Sequence, residues 1–219
     1  MADVSSPLVS ARLIPVVVLE HAADAAPLAR ALVDGGLPVA EITLRSDAAV
    51  DAIRAAVDAG LTEGPDPILL GAGTVLTPAQ VDAAVAAGAS FIVSPGFSRP
   101  VVERCREHGV TVVAGAATAT EVQASLDMGL DIVKFFPAAT SGGPDAINAL
   151  SAPFPHVGFI PTGGVGPHNV ADYLRLPSVP AVGGSWMVPG DLIREGAMDQ
   201  VRQRAADAVA LVSSVSEEA

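Results

Sequence analysis

Asp131-Ile132-Val133-Lys134-Phe135-Phe136-Pro137 is a mostly apolar run that carries the only lysine of the chain. Proline cannot donate to a sheet ladder, so Pro137 marks the end of a strand. The run reads as a short buried strand with Lys134 near its C-terminal end. A charged amine is costly in such surroundings unless it is paired or has a task. Two readings stand side by side. Lys134 is either half of a buried ion pair or a nucleophile that forms a Schiff base with a carbonyl. A compositional bias toward Ala, Gly, Pro and Arg explains why lysine is rare here. It does not explain why the survivor lies in a buried strand.

The same pattern repeats on both sides of this run. Short apolar, β-branched stretches stand at 14–19, 39–45, 68–74, 91–94 and 111–114, and again at 157–160 and 179–183. Each has strand length and a turn signal behind it. Helical segments separate them. Asp24 caps the first, which stops at Gly35-Gly36, and Ser46 or Asp47 opens the second. Thr77-Pro78 opens the third with a cap followed by proline. Others are expected over about 100–108, 120–128, 144–150, 167–175 and 197–212. Strict alternation of strand and helix implies parallel strands with helical crossovers. Eight such units in 219 residues, with no linker-like break, read as an α/β fold. The expected architecture is one single-domain (β/α)8 TIM barrel over 1–219. Residues 1–10 form a loose arm in this reading, and 213–219 a frayed tail. An open doubly wound sheet would carry a Gly-rich dinucleotide fingerprint after its first strand, and Leu19-Glu20-His21 stands there instead.

Composition narrows the function classes. Half the residues are hydrophobic, enough for a large core, and the net charge is −12. An acidic balance disfavours nucleic acid and anionic membrane as partners. An anionic small molecule would then need local Arg, backbone N–H groups or helix N-termini. The single Cys105 excludes an intrachain disulfide and a Cys-based metal cluster, and reads as a small, partly buried helix residue. No basic n-region precedes an apolar stretch at the N-terminus, and the run 14–19 is too short to span a bilayer. The expected address is the cytoplasm. The four histidines show no HxH or HExxH spacing, so no metal and no cofactor is expected.

Strand alternation places the side chains. In the second strand Glu41, Thr43 and Arg45 share one face, while Ala40, Ile42 and Leu44 share the other and must pack on helices. The polar face therefore points into the barrel, where Lys134 on the sixth strand would look toward Glu41 and Arg45. Active sites of barrels lie at the C-terminal strand ends. A triad there favours function over a buried charge network that only fixes packing. Thr162-Gly163-Gly164 follows the seventh strand, and Gly183-Gly184-Ser185 the eighth. Paired glycines let backbone N–H groups approach an anion, and these two loops are the usual barrel phosphate site. The implied ligand is a small phosphorylated molecule. Gly71-Ala72-Gly73-Thr74 offers another close backbone approach, suited to a carboxylate or carbonyl oxygen, with a plain turn as competitor. Ser94-Pro95-Gly96-Phe97 shapes the pocket, and Phe97 is a lid residue or an exposed contact.

Together these segments resemble a known family, the class I 2-keto-3-deoxy-6-phosphogluconate aldolases that also handle 4-hydroxy-2-oxoglutarate. The resemblance runs from about Ile14 to Met198 through IPVVVLE, EITLR, GAGTV, SPGF, VKFFPA, GFIPTGGV and VGGSWMVP, in that order. It implies a (β/α)8 barrel in which Lys134 forms an imine with the C2 ketone of a phosphorylated keto acid. Glu41 is implied as the acid/base, working through a water. Arg45 and Thr74 would hold the pyruvate carboxylate, with Phe136 beside the imine. Thr162 would face the substrate hydroxyls, and Gly163, Gly164, Gly184 and Ser185 the phosphate. A homotrimer is also implied. The implied reaction cleaves 2-keto-3-deoxy-6-phosphogluconate to pyruvate and glyceraldehyde 3-phosphate, reversibly. Gly115-Ala116-Ala117-Thr118 and Phe97 depart from the family pattern and bear on pocket shape. Three alternatives stay open: an aldolase for the galactonate epimer, a phosphosugar isomerase using a carboxylate base, and a non-catalytic barrel that binds a phosphometabolite.

Overall fold

A computed structural model describes residues 7–217. Eight strands alternate with helices: β1 (Leu13–Val17), β2 (Val39–Thr43), β3 (Leu69–Gly73), β4 (Phe91–Val93), β5 (Thr111–Gly115), β6 (Ile132–Phe135), β7 (Gly158–Pro161) and β8 (Val182–Gly184). Every ladder is parallel and the order in the sheet is β7-β6-β5-β4-β3-β2-β1-β8. β1 thus joins β8 to β2, which rolls the sheet into a barrel. The remaining seam, between β7 and β8, is closed by one parallel bridge, Thr162 to Gly183. That bridge lies where the two double-glycine loops begin. The strict βα alternation of the sequence therefore yields the eight-stranded barrel it implies, because parallel neighbours need a helical crossover and all the crossovers pack on the outer face.

The helices are α1 (Pro7–Ser10), α2 (Ala25–Asp34), α3 (Ala49–Asp58), α4 (Pro78–Ala86), α5 (Arg99–His108), α6 (Ala119–Asp127), α7 (Gly143–Ser151), α8 (Val170–Leu174), α9 (Gly190–Arg194) and α10 (Met198–Glu217). Their boundaries follow local chemistry. Thr77 caps α4 in a full capping box: its hydroxyl accepts from the Gln80 amide, while the Gln80 side chain accepts from the Thr77 N–H. Thr118 caps α6 through the Glu121 amide. Gly109 ends α5 in the left-handed region at φ 67°.

Several expectations are corrected. Residues 7–10 are not a loose arm: they form α1, with Leu8 and Val9 buried. Residues 1–6 of that expected arm lie outside the described residues. The expected tail at 213–219 is helical to Glu217, and Val215 is buried in the core; residues 218–219 lie outside the described residues. Asp24 occupies the N-cap of α2 but its side chain caps nothing, because the 3-10 turn Ala22–Asp24 leads directly into the helix. Ser46 opens no helix and instead donates to the Leu19 carbonyl at 2.5 Å, while α3 begins later. The eighth strand begins at Val182 rather than Val179, and α9 follows it where no helix was expected.

Candidate active site

Glu41 and Lys134 project into the barrel from β2 and β6 and meet there. Lys134 Nζ donates to Glu41 Oε1 at 3.1 Å, with Oε2 at 3.5 Å. The two residues are 5% and 2% exposed, so the pair is essentially dry. Two buried charges are tolerated only with close mutual contact. The lysine also sees the Phe136 ring, whose centroid lies 5.5 Å from Nζ. Below the pair the barrel is filled by apolar side chains. Ile14, Val93, Val113 and Ile160 line a small space shared with Glu41 and Lys134, together with Leu8 of α1 and with Thr162 and Gly183 at the seam. Above it the barrel opens. Phe136, 37% exposed, stands at that rim just past the end of β6.

The contact between the pair corrects one expectation. Glu41 was expected to reach Lys134 through a water, yet the carboxylate lies within direct hydrogen-bond distance of the amine. Proton exchange between Oε1 and Nζ therefore needs no relay.

Arg45 does not join the pair inside the barrel. β2 ends at Thr43, and Arg45 lies past its end, exposed at the rim. Its backbone N–H turns back to the Thr43 carbonyl at 2.8 Å, so the strict alternation that placed it inward has already ended. Thr43 does point inward, is 1% exposed, and donates to the Val17 carbonyl at 2.8 Å. Thr74 follows β3 in the left-handed region at φ 56°, half-buried at the same rim. A threonine there costs about 1–3 kcal/mol, so its surroundings must hold it. The adjacent amide of Val75, bonded to the Val93 carbonyl at 3.1 Å, helps do so. Pro95 is half-buried after β4, in a turn where Ser94 Oγ donates to the Gly96 carbonyl at 2.8 Å.

Thr162 is buried at the barrel seam, and its side chain lies over Gly183: a Cβ at Gly183 would come within 2.4 Å of Thr162 Oγ1. Gly163 and Gly164 both have positive φ, 93° and 78°, a turn that an L side chain resists. Among the described residues, the N–H groups of Gly163, Gly164 and Ser185 donate to no protein acceptor. Gly184 is buried and Ser185 exposed beside them. The two loops thus start side by side at the seam and carry amides without a protein acceptor. Such sets of donors suit a phosphate.

Other reactive side chains lie elsewhere. Cys105 is wholly buried in α5, more deeply than expected, and burial pushes its thiol up to about 11. It is a packing residue with no thiolate to offer at neutral pH. His108 ends α5 and pairs with Asp82 at 2.6 Å on the outer surface. Arg104 joins the same carboxylate, and together they hold the Asp82 carboxyl below its ordinary value. His21, His156 and His168 are exposed. Among the described residues, no three His, Cys, Asp or Glu side chains converge as metal ligands would. No helix among them is long and apolar enough to cross a membrane.

A family model described as "KDPG and KHG aldolase" matches residues 4–204. The chain is 47% identical to the 2-dehydro-3-deoxy-phosphogluconate aldolase of Treponema pallidum (strain Nichols) over 201 residues, 92% of this chain and 93% of that protein. It is 43% identical to the KHG/KDPG aldolase of Escherichia coli (strain K12) over 202 residues, 92% of each. Among solved structures, the KDPG aldolase of Legionella pneumophila, with pyruvate captured at low pH as a covalent carbinolamine intermediate, matches with a TM-score of 0.85 and 38% identity. That match covers 93% of this chain and 98% of the other.

Proposed function

The chain belongs to the KDPG and KHG aldolase family, and from that premise we propose that it is a class I aldolase with Lys134 as its Schiff-base nucleophile and Glu41 as its acid/base. Its substrate is 2-keto-3-deoxy-6-phosphogluconate, cleaved reversibly to pyruvate and glyceraldehyde 3-phosphate. 4-Hydroxy-2-oxoglutarate, cleaved to pyruvate and glyoxylate, is a second substrate. The observation that carries the reading is the dry contact of 3.1 Å between Lys134 Nζ and Glu41 Oε1 at the open end of the barrel.

The reaction begins when the proton of the pair rests on Glu41, leaving Nζ a neutral amine. Its lone pair attacks the C2 ketone, and the carbonyl oxygen takes the Glu41 proton and then one released by the nitrogen. Loss of that oxygen as water leaves a protonated imine, which draws electrons from the adjacent C3–C4 bond. A carboxylate at the position of Glu41 accepts the C4 hydroxyl proton as that bond breaks. The aldehyde departs, and an enamine remains on Lys134. Protonation at C3 and addition of water then return the amine and release pyruvate. Transfer between Glu41 and Lys134 spans a hydrogen-bond distance, which is the condition for general acid–base catalysis.

Binding roles follow the layout of the mouth. Arg45 and Thr74 on the rim hold the substrate carboxylate, Pro95 and Phe136 flank the reacting carbon, and Thr162 meets the hydroxyls. Gly163, Gly164, Gly184 and Ser185 form the phosphate seat, with the amides of Gly163, Gly164 and Ser185 as its donors. A homotrimer acting in the cytoplasm completes the proposal.

The test is reductive trapping. Incubation with pyruvate and borohydride should add a pyruvate-derived mass to the peptide that contains Lys134, and Lys134→Arg should abolish both the adduct and turnover, since a guanidinium forms no imine. An enzyme that turns over without an adduct at Lys134 would overturn the reading. Comparing cleavage of the gluconate and galactonate epimers assigns the sugar acid.

A further inference from the structure

We propose that Gly73 is a positioning residue: the space left by its missing side chain seats the Glu41 carboxylate against Lys134. The inference rests on the aldolase reading for its kinetic part and on geometry alone for the rest. A Cβ at Gly73 would lie 2.1 Å from Glu41 Oε1, 2.5 Å from its Cγ and 2.6 Å from its Cδ. The carboxylate therefore occupies the volume where any other residue would place its first side-chain carbon. Oε1, the oxygen nearest that volume, is also the oxygen 3.1 Å from Lys134 Nζ.

The backbone does not explain this glycine. Gly73 lies within β3, opposite Thr43 of β2, and is absent from the glycines with positive φ. An alanine would adopt its backbone without strain. Glu41 is opposite Gly71 in the ladder, so its side chain must lean along the strand toward the mouth to cover Gly73. The methyl-sized gap over Gly71 is already filled by the Phe91 ring, 2.2 Å from where a Cβ would stand there. Thr43, the next inward residue of β2, is held in place by its bond to Val17. Interiors packed at crystal density do not absorb an extra methyl group freely. One added carbon at position 73 must push the carboxylate away from the amine.

This differs from the reading of Gly71-Ala72-Gly73-Thr74 as a close backbone approach to substrate. If Gly73 served the substrate, its replacement would raise KM. If it seats Glu41, its replacement lowers kcat, and the effect depends on what stands at position 41. The test is a double-mutant cycle with Gly73→Ala in the parent and in Glu41→Ala, which has no carboxylate to displace. Gly73→Ala should lower kcat in the parent by about 10²–10⁴-fold, the range for loss of a general acid/base, with KM changed less than about threefold. It should also lower the parent's melting midpoint by several degrees or leave a fold that no longer assembles. In Glu41→Ala, the same substitution should change neither kcat nor the melting midpoint. The stability arm is independent of the reaction, so it stands or falls apart from the aldolase assignment. A Gly73→Ala variant with parental kcat and stability overturns the proposal, as does an equal further loss in the Glu41→Ala background.

Discussion

A lysine and a glutamate that meet inside a barrel can be a mere structural pair, and proton transfer in turnover is what separates that from catalysis. Glu41→Gln keeps the shape and one acceptor but cannot take a proton. It should slow turnover by about 10²–10⁴-fold, while pyruvate trapping on Lys134 persists at least in part. Steady-state kinetics and borohydride mass spectrometry on the same preparation measure both, and an unchanged rate would leave Glu41 a packing residue. At this scale the sequence was informative where alternation held. Glu41 at the centre of β2 and Lys134 at the third position of β6 both face inward as period-two counting requires. The same counting misplaced Arg45, since β2 stops two residues earlier and the chain turns at the rim. Gly73 was legible as a glycine but not as a seat. A missing side chain does not announce which neighbour fills its volume, and that neighbour comes from another strand.

Among the elements, the strands were legible as short apolar runs that alternate with helical segments, and α4 because Thr77-Pro78 carries capping chemistry. What escaped was short. α1 spans four residues and α9 five, too few to be stable on local propensity. Such helices exist through tertiary contact, which no local pattern encodes. α1 shows what that contact does. Leu8, 4% exposed, reaches into the base of the barrel and lines the same small space as Glu41 and Lys134. A helix that precedes β1 thereby contributes a side chain to the space beside the pair. Leu8→Ala should cost about 2–5 kcal/mol of stability, the range for a buried leucine, in urea unfolding followed by circular dichroism. A loss within about 0.5 kcal/mol, the scale of an ordinary surface substitution, would mean that the segment does not pack into that space.

For the whole molecule, topology was the most legible property and association the least. Eight βα units admit few arrangements once crossovers are short and right-handed, and the strand order that results is the barrel. Nothing in a period-two or period-3.6 pattern speaks to copies of the chain, because an interface needs only surface residues that period rules leave free. The homotrimer is tested by light scattering coupled to size exclusion, with about three chain masses expected at micromolar concentration. A single chain mass there would remove the trimer from the proposal without touching the site. The barrel wall itself is uneven. Seven ladders are regular, while β7 and β8 meet at one bridge beside the proposed phosphate loops.

The lone lysine has a practical consequence in proteolysis. A lysine-specific endoprotease has one cleavage site in the chain, the Lys134–Phe135 bond. In the folded protein that bond lies in β6 with both residues buried, so the protease cuts only after unfolding. Once unfolded, each chain gives two fragments if its amine is free and none if the amine has been converted to a secondary amine. A denaturing gel then reports, chain by chain, what fraction of the molecules had carried the adduct, with no mass spectrometer and no assay of turnover.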